Sequence, residues 1–192
     1  RIERVSVDSN GVQGNGGTCC QSINMDGRVV VFHSFDSNLI PGDTNGTADV
    51  FIHDHQSGAT ERVSVGTGGI QGNDHSYFAS ISADGRYVVY FSPASNLVQN
   101  DLNGQSDVFV YDRQTGVTER VSVNNSGVEG DGSSYFPSIS GEGRYVAFRS
   151  YATNLVTGDT NGTTDVFVHD RQTGLTERVS VGSNGQEGNG GA

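Results

Sequence analysis

The 192-residue chain carries 11 basic residues, all arginine, against 22 acidic ones, for a formal charge of -11. That balance argues against nucleic acid as a partner. No apolar run approaches the roughly eighteen residues a membrane-spanning helix needs, and the apolar residues are grouped, not diluted as in a disordered tract.

In chain order, the first signal is Glu3–Val7 (ERVSV), which returns at Glu61, Glu119 and Glu177, each step being 58 residues. Residues 61–118 and 119–176 are identical at 35 of 58 positions without a gap. A fixed period of this size indicates a solenoid, a propeller or an array. It divides the chain into 1–18 (a spare outer strand and connecting loop), 19–76, 77–134, 135–181, and 182–192, the opening of a fourth repeat. The start at Arg1, with no signal peptide, reads as a processed or excerpted segment. Cys19-Cys20 stand where the later repeats have Tyr77-Phe78 and Tyr135-Phe136. Adjacent cysteines make no disulfide framework, and both read as buried apolar substitutes.

Within one repeat, Tyr77–Ser82 reads as a first strand, followed by the turn signal Ala83–Arg86 (ADGR). Tyr87–Phe91 is an apolar run too short for a helix and rich in β-formers. Asp107–Tyr111 gives a third strand, Asp112–Gly116 turns the chain, and Thr118–Val123 makes a fourth. The second and third strands are apolar at consecutive positions, so both faces need cover. In the fourth, charges alternate with valine, as in an outer strand protected from edge pairing. The expected fold class is all-β: four-stranded antiparallel β-propeller blades, three of them complete. A β-solenoid fits less well, because its rungs are shorter and lack Asp-Gly hairpins.

Residues 80–90 (SISADGRYVVY) and 137–148 (PSISGEGRYVAF) resemble the WD40-like (PD40) repeat of TolB-type propellers. Residues 107–116 (DVFVYDRQTG) and 165–174 (DVFVHDRQTG) are similar to that family's third strand and turn. The resemblance covers essentially the whole chain. It implies a secreted, periplasmic or surface-associated protein with a binding role. The chain departs from the family in its longer unit and in Cys19-Cys20-Gln21.

The extra length lies between the second and third strands, where the pattern D-x-N-G-x-x-D recurs. Its polar residues are Asp43, Asn45 and Asp49; Asp101, Asn103 and Asp107; and Asp159, Asn161 and Asp165. A long loop costs ordering entropy, and oxygen-only ligands with a glycine for the sharp turn suit a hard cation. The expectation is one Ca2+ per repeat, three in all, aided by backbone carbonyls at Thr47, Gln105 and Thr163. The alternative is plain turn chemistry. Asn38, Asn96 and Asn154, just upstream, read as backbone caps. Arg28, Arg86 and Arg144 read as partners of nearby surface carboxylates.

His53 and His55 could form a transition-metal pair, but His55 fills a slot that is Arg113 and Arg171 in the other repeats. No nucleophile elbow, zinc-peptidase helix or phosphate loop is present, so the chain reads as no enzyme. Three blades do not close a ring. The chain is therefore an excerpt of a longer protein, or it self-associates into a dimeric ring or a head-to-tail polymer. The leading function is a calcium-stabilised scaffold for binding or assembly. The alternatives are a protein- or glycan-binding module and the accessory propeller of a hydrolase.

Overall fold

The computed structural model describes residues 2–188 and Gly190. Three four-stranded antiparallel sheets follow one another, each a simple meander. Blade 1 is β1 (Thr18–Ile23), β2 (Val29–Ser34), β3 (Asp49–Asp54) and β4 (Ala59–Arg62). A short pair, β5 (Val65–Gly66) and β6 (Ile70–Gln71), leads to blade 2: β7 (Tyr77–Ile81), β8 (Tyr87–Ser92), β9 (Asp107–Asp112) and β10 (Val117–Arg120). Blade 3 is β11 (Ser134–Ile139), β12 (Tyr145–Ser150), β13 (Asp165–Asp170) and β14 (Leu175–Arg178). Among the described residues there is no helix long and apolar enough to cross a membrane.

The first hairpin of each blade closes as its sequence predicts. In blade 2 the Gly85 N–H donates to the Ser82 carbonyl at 3.0 Å, with Gly85 at φ +74, where glycine is unstrained. The arginine after that glycine reaches the turn between the third and fourth strands. Arg86 grips Asp112 with two bonds of 2.9 and 2.7 Å, and Arg28–Asp54 and Arg144–Asp170 repeat the pair. The surface pairs expected of these arginines are therefore present. The outer strands are shorter than the sequence suggests, because a side chain takes over from the backbone: the Val108 N–H donates to Ser122 Oγ at 3.0 Å. Each innermost strand is bulged, with a register shift and a non-glycine residue at positive φ: Cys20 (57°), Phe78 (51°) and Phe136 (51°).

Blades stack face to face. Val31, Val50 and Ile52 of blade 1 pack with Ile81, Val88 and Tyr90 of blade 2, and Val89, Val108 and Val110 pack against Val146 and Phe148 of blade 3. The equivalent face of blade 3 has no such cover. Ala147, Val166 and Val168 are half-buried where their counterparts in blades 1 and 2 are fully buried.

Each junction is also fastened by polar groups. Arg113 of blade 2 pairs at 3.0 Å with Glu61 at the end of blade 1, and Thr118 Oγ1 donates to the Val65 carbonyl. Arg171 with Glu119 and Thr176 with the Val123 carbonyl repeat the arrangement. The N-terminal segment occupies the same place against blade 1. His55 lies 3.3 Å from Glu3, Thr60 Oγ1 donates to the Val7 carbonyl at 2.6 Å, and Val7 bridges Gln13. Residues 2–6 form no strand, since strand pairing needs a neighbour and the chain places none beside them. Arg1 of that expected strand lies outside the described residues, as do Asn189, Gly191 and Ala192 of the 182–192 tail.

Candidate functional site

The nine predicted ligands do gather by repeat, around a partner the sequence reading left out. Asp49, Asp107 and Asp165 open β3, β9 and β13, and all three are buried. Each receives a short bond from a serine of the ERVSV segment: Ser64 Oγ at 2.6 Å, Ser122 Oγ at 2.5 Å and Ser180 Oγ at 2.5 Å. The arginine of the same segment enters the cluster. Arg62 lies 3.4 Å from Asp43 and 3.1 Å from Asp49. Arg120 lies 3.3 Å from both Asp101 and Asp107, and Arg178 is 3.2 Å from Asp159 and 3.5 Å from Asp165.

These arginines were read as exposed guards of an outer edge. They instead point inward, with side chains only 8 to 10% exposed, because burying two carboxylates demands a nearby positive charge. Their Nε atoms are buried without a hydrogen-bond partner. A third group completes each cluster from the connector. Gln71 Nε2 donates to Asp43 at 2.9 Å, whereas the equivalent residues of the next repeats, Glu129 and Glu187, face the guanidinium at 2.6 and 2.9 Å. Three carboxylates thus surround one arginine in blades 2 and 3, and two do so in blade 1.

The asparagines tie each loop to itself and to the strand that follows. Asn45, Asn103 and Asn161 turn their Oδ1 to the N–H groups of Thr47, Gln105 and Thr163, at 3.0, 2.8 and 2.8 Å. Their Nδ2 groups donate to the aspartate opening the next strand. The oxygen expected to face an ion thus also accepts a bond that closes the loop. Asp101, Asp107 and Glu129 bring carboxylate oxygens within 4.8 Å of one another, a set that fits part of a calcium shell. Asn38, Asn96 and Asn154 are backbone caps as expected, joining the loop to the connector; the Asn96 Nδ2 donates to the Gln71 carbonyl at 2.8 Å.

Charge crowding shows in the carboxyl groups. Burial, followed by the charge of Asp107, pushes the Asp101 pKa up to about 6 against the pull of Arg120. Burial also raises Asp43, Asp107 and Asp159. The turn aspartates behave oppositely: the Arg86 guanidinium holds Asp112 down to about 2.

Two histidine and cysteine readings resolve differently. His53 is buried and bonded through Nδ1 to Thr60 Oγ1 at 2.8 Å, while His55 is exposed beside Glu3; the two form no three-ligand group with a neighbour among the described residues. Cys19 is exposed and Cys20 half-buried, and both are free. The expectation of buried apolar substitutes fails there, because the bulge at Cys20 turns the segment off the regular strand alternation.

No protein-family model matches the chain, and neither does any curated protein. Solved structures do. TolB from Acinetobacter baumannii is 18% identical with a TM-score of 0.54, over 86% of this chain and 32% of that one. The putative TolB from Agrobacterium tumefaciens gives 18% and 0.54, over 84% and 48%. The β-propeller domain of the Trilobed protease from Pyrococcus furiosus gives 12% and 0.53, over 85% and 42%. The chain thus spans about a third to a half of the length of these structures. Identity at this level speaks to fold alone. Three consecutive four-stranded antiparallel blades, aligned on TolB and a protease propeller, make this chain a β-propeller module.

Proposed function

We propose that the chain is a non-catalytic propeller scaffold that works outside the cytoplasm by binding or self-assembly. The observation that supports this is the uncovered face of blade 3. Ala147, Val166 and Val168 present there the surface that blades 1 and 2 bury against a following blade. A further blade, from a second copy or from a longer chain, would cover that surface, and two copies would give six blades. The N-terminal segment offers a way to join them: residues 3–13 match residues 177–187 at eight of eleven positions, so one copy's segment can take the place of the other's.

Calcium enters as a competitor for the place of the arginine, at the clusters where three carboxylates face one guanidinium. Asp101, Asp107 and Glu129 would hold it in blade 2, and Asp159, Asp165 and Glu187 in blade 3. A hard cation there would offset the crowding that raises Asp101. The exposed Phe78 and Phe136, packed edge to face with ring centroids 5.0 Å apart, favour a second reading in which the inner strands grip a protein or glycan.

Two measurements separate these claims. Light scattering in millimolar calcium should give a discrete species of about twice the 20.2 kDa chain, or large open polymers; a lone monomer removes the assembly reading. Chelation with EGTA should lower the melting temperature, and Asp107→Ala with Asp165→Ala should blunt that response. An unchanged melting curve removes calcium and leaves the scaffold reading standing.

A further inference from the structure

Position by position, blade 1 departs from its sister blades at three residues that meet in space. Cys19 stands where the others have Tyr77 and Tyr135, Cys20 where they have Phe78 and Phe136, and His33 where they have Phe91 and Arg149. In blade 2 these positions form one aromatic cluster, with Phe91 5.7 Å from Tyr77 and 5.8 Å from Phe78. In blade 1 all three have become ligands for soft or borderline metals, and the chain has no other cysteine.

The backbone explains why the two adjacent thiols share a site. In a regular strand, neighbouring side chains point to opposite faces. Here the register shifts after Cys19, and Cys20 adopts φ 57°, so the alternation is broken. Cys19 is also the direct cross-strand partner of His33. The two sulfurs and a ring nitrogen of His33 all lie within 4.8 Å of one another.

We infer that Cys19, Cys20 and His33 form a binding site for a thiophilic divalent cation of the zinc class, with a fourth coordination position left open. Metal–sulfur bonds of about 2.3 Å in a tetrahedral shell put such ligands roughly 3.8 Å apart. The set therefore has to close by at most about 1 Å, which rotation of the two thiols supplies. His33 is the fixed member. It is buried, and its ring is held edge-on to Tyr77 at 5.3 Å and against Phe78 at 5.7 Å. The bond its Nδ1 accepts from the Phe78 N–H is long, at 3.4 Å, and so little is lost if that nitrogen turns to a metal. The open position lies beside the cleft that Cys20 shares with Gln21, Phe78 and Phe136.

The test is cobalt(II) titration of the whole, fully reduced chain under argon. One equivalent should bind with thiolate-to-metal charge-transfer absorption, and zinc(II) should displace it. The double variant Cys19→Tyr/Cys20→Phe should lose the absorption entirely while melting as the parent does, since it installs the residues that blades 2 and 3 already carry. His33→Phe should weaken binding by about tenfold or more, and His55→Arg should leave it unchanged. Absence of the band in a parent chain with two reactive thiols would overturn the assignment. So would binding that survives in the double variant, or binding lost in His55→Arg alone.

Discussion

Replacing Asp101 with asparagine should stabilise the protein at neutral pH in the absence of calcium. Asp101 is nearly inaccessible, with a side chain 4% exposed, and shares Arg120 with Asp107 and Glu129. Its pKa is pushed from 3.8 to about 6, so the folded state binds a proton more readily than the unfolded one. Such a group contributes stability that is fully present below about pH 3.8 and is lost as pH rises through 6. The shift of about two units corresponds to roughly 3 kcal/mol. Asp101→Asn keeps the shape and removes the titration. Urea unfolding in EGTA should therefore show the variant more stable by about 1–3 kcal/mol at pH 7, with the curves converging near pH 4 and the slopes unchanged. A variant equal to or weaker than the parent at pH 7 would refute the reasoning, because Arg120 would then outweigh burial and the like charges.

Other consequences are open to direct measurement. Arg120→Met leaves three carboxylates around an empty centre and should cost about 3–5 kcal/mol without calcium in chemical denaturation; millimolar calcium should restore much of that loss if it binds there. Arg86→Gln should flatten the acid limb of the stability profile. Asp112, held at about 2 by that arginine, contributes stability present above its unfolded pKa and lost as pH falls from about 4 to 2; solvent screening at the exposed arginine keeps the effect small. Gly143→Ala should lower the melting temperature, costing about 1–3 kcal/mol. Gly143 sits at φ +75 and an added methyl would overlap the Tyr87 ring of the neighbouring blade. The same change at Gly158, with open space around it, carries only the backbone strain and should cost less.

The period, the strands and the hairpin turns were legible because each is local: Tyr87–Phe91 declares itself within five residues, and Gly85 marks its own turn. The acidic loops were legible as clusters for the same reason. Their partners were not, because Arg62 and Ser64 lie 13 and 15 residues beyond Asp49, across a hairpin whose register no short motif reveals. One signal was available. ERVSV and D-x-N-G-x-x-D recur with the same period, and a buried carboxylate needs a cation, so the inward arginine of one could have been matched to the other. The loop-closing bonds of the asparagines were not legible, because a local Asx turn and an ion both use the side-chain oxygen and spacing alone does not reveal the turn. Cys19 and Cys20 escaped because the bulge that exposes them leaves no sequence mark beyond their own identity.

The clasp from Thr118 to the Val65 carbonyl and the Arg113–Glu61 pair join groups 53 and 52 residues apart, and the next junction repeats both spacings. Every seam of the molecule is thus written in the same chemistry, independent of which blade it borders. A gene that gained or lost one 58-residue unit, cut at any phase of the repeat, would rebuild an identical seam at the scar. Blade number in this lineage is then free to drift until ring closure, or a neighbouring chain, counts the blades.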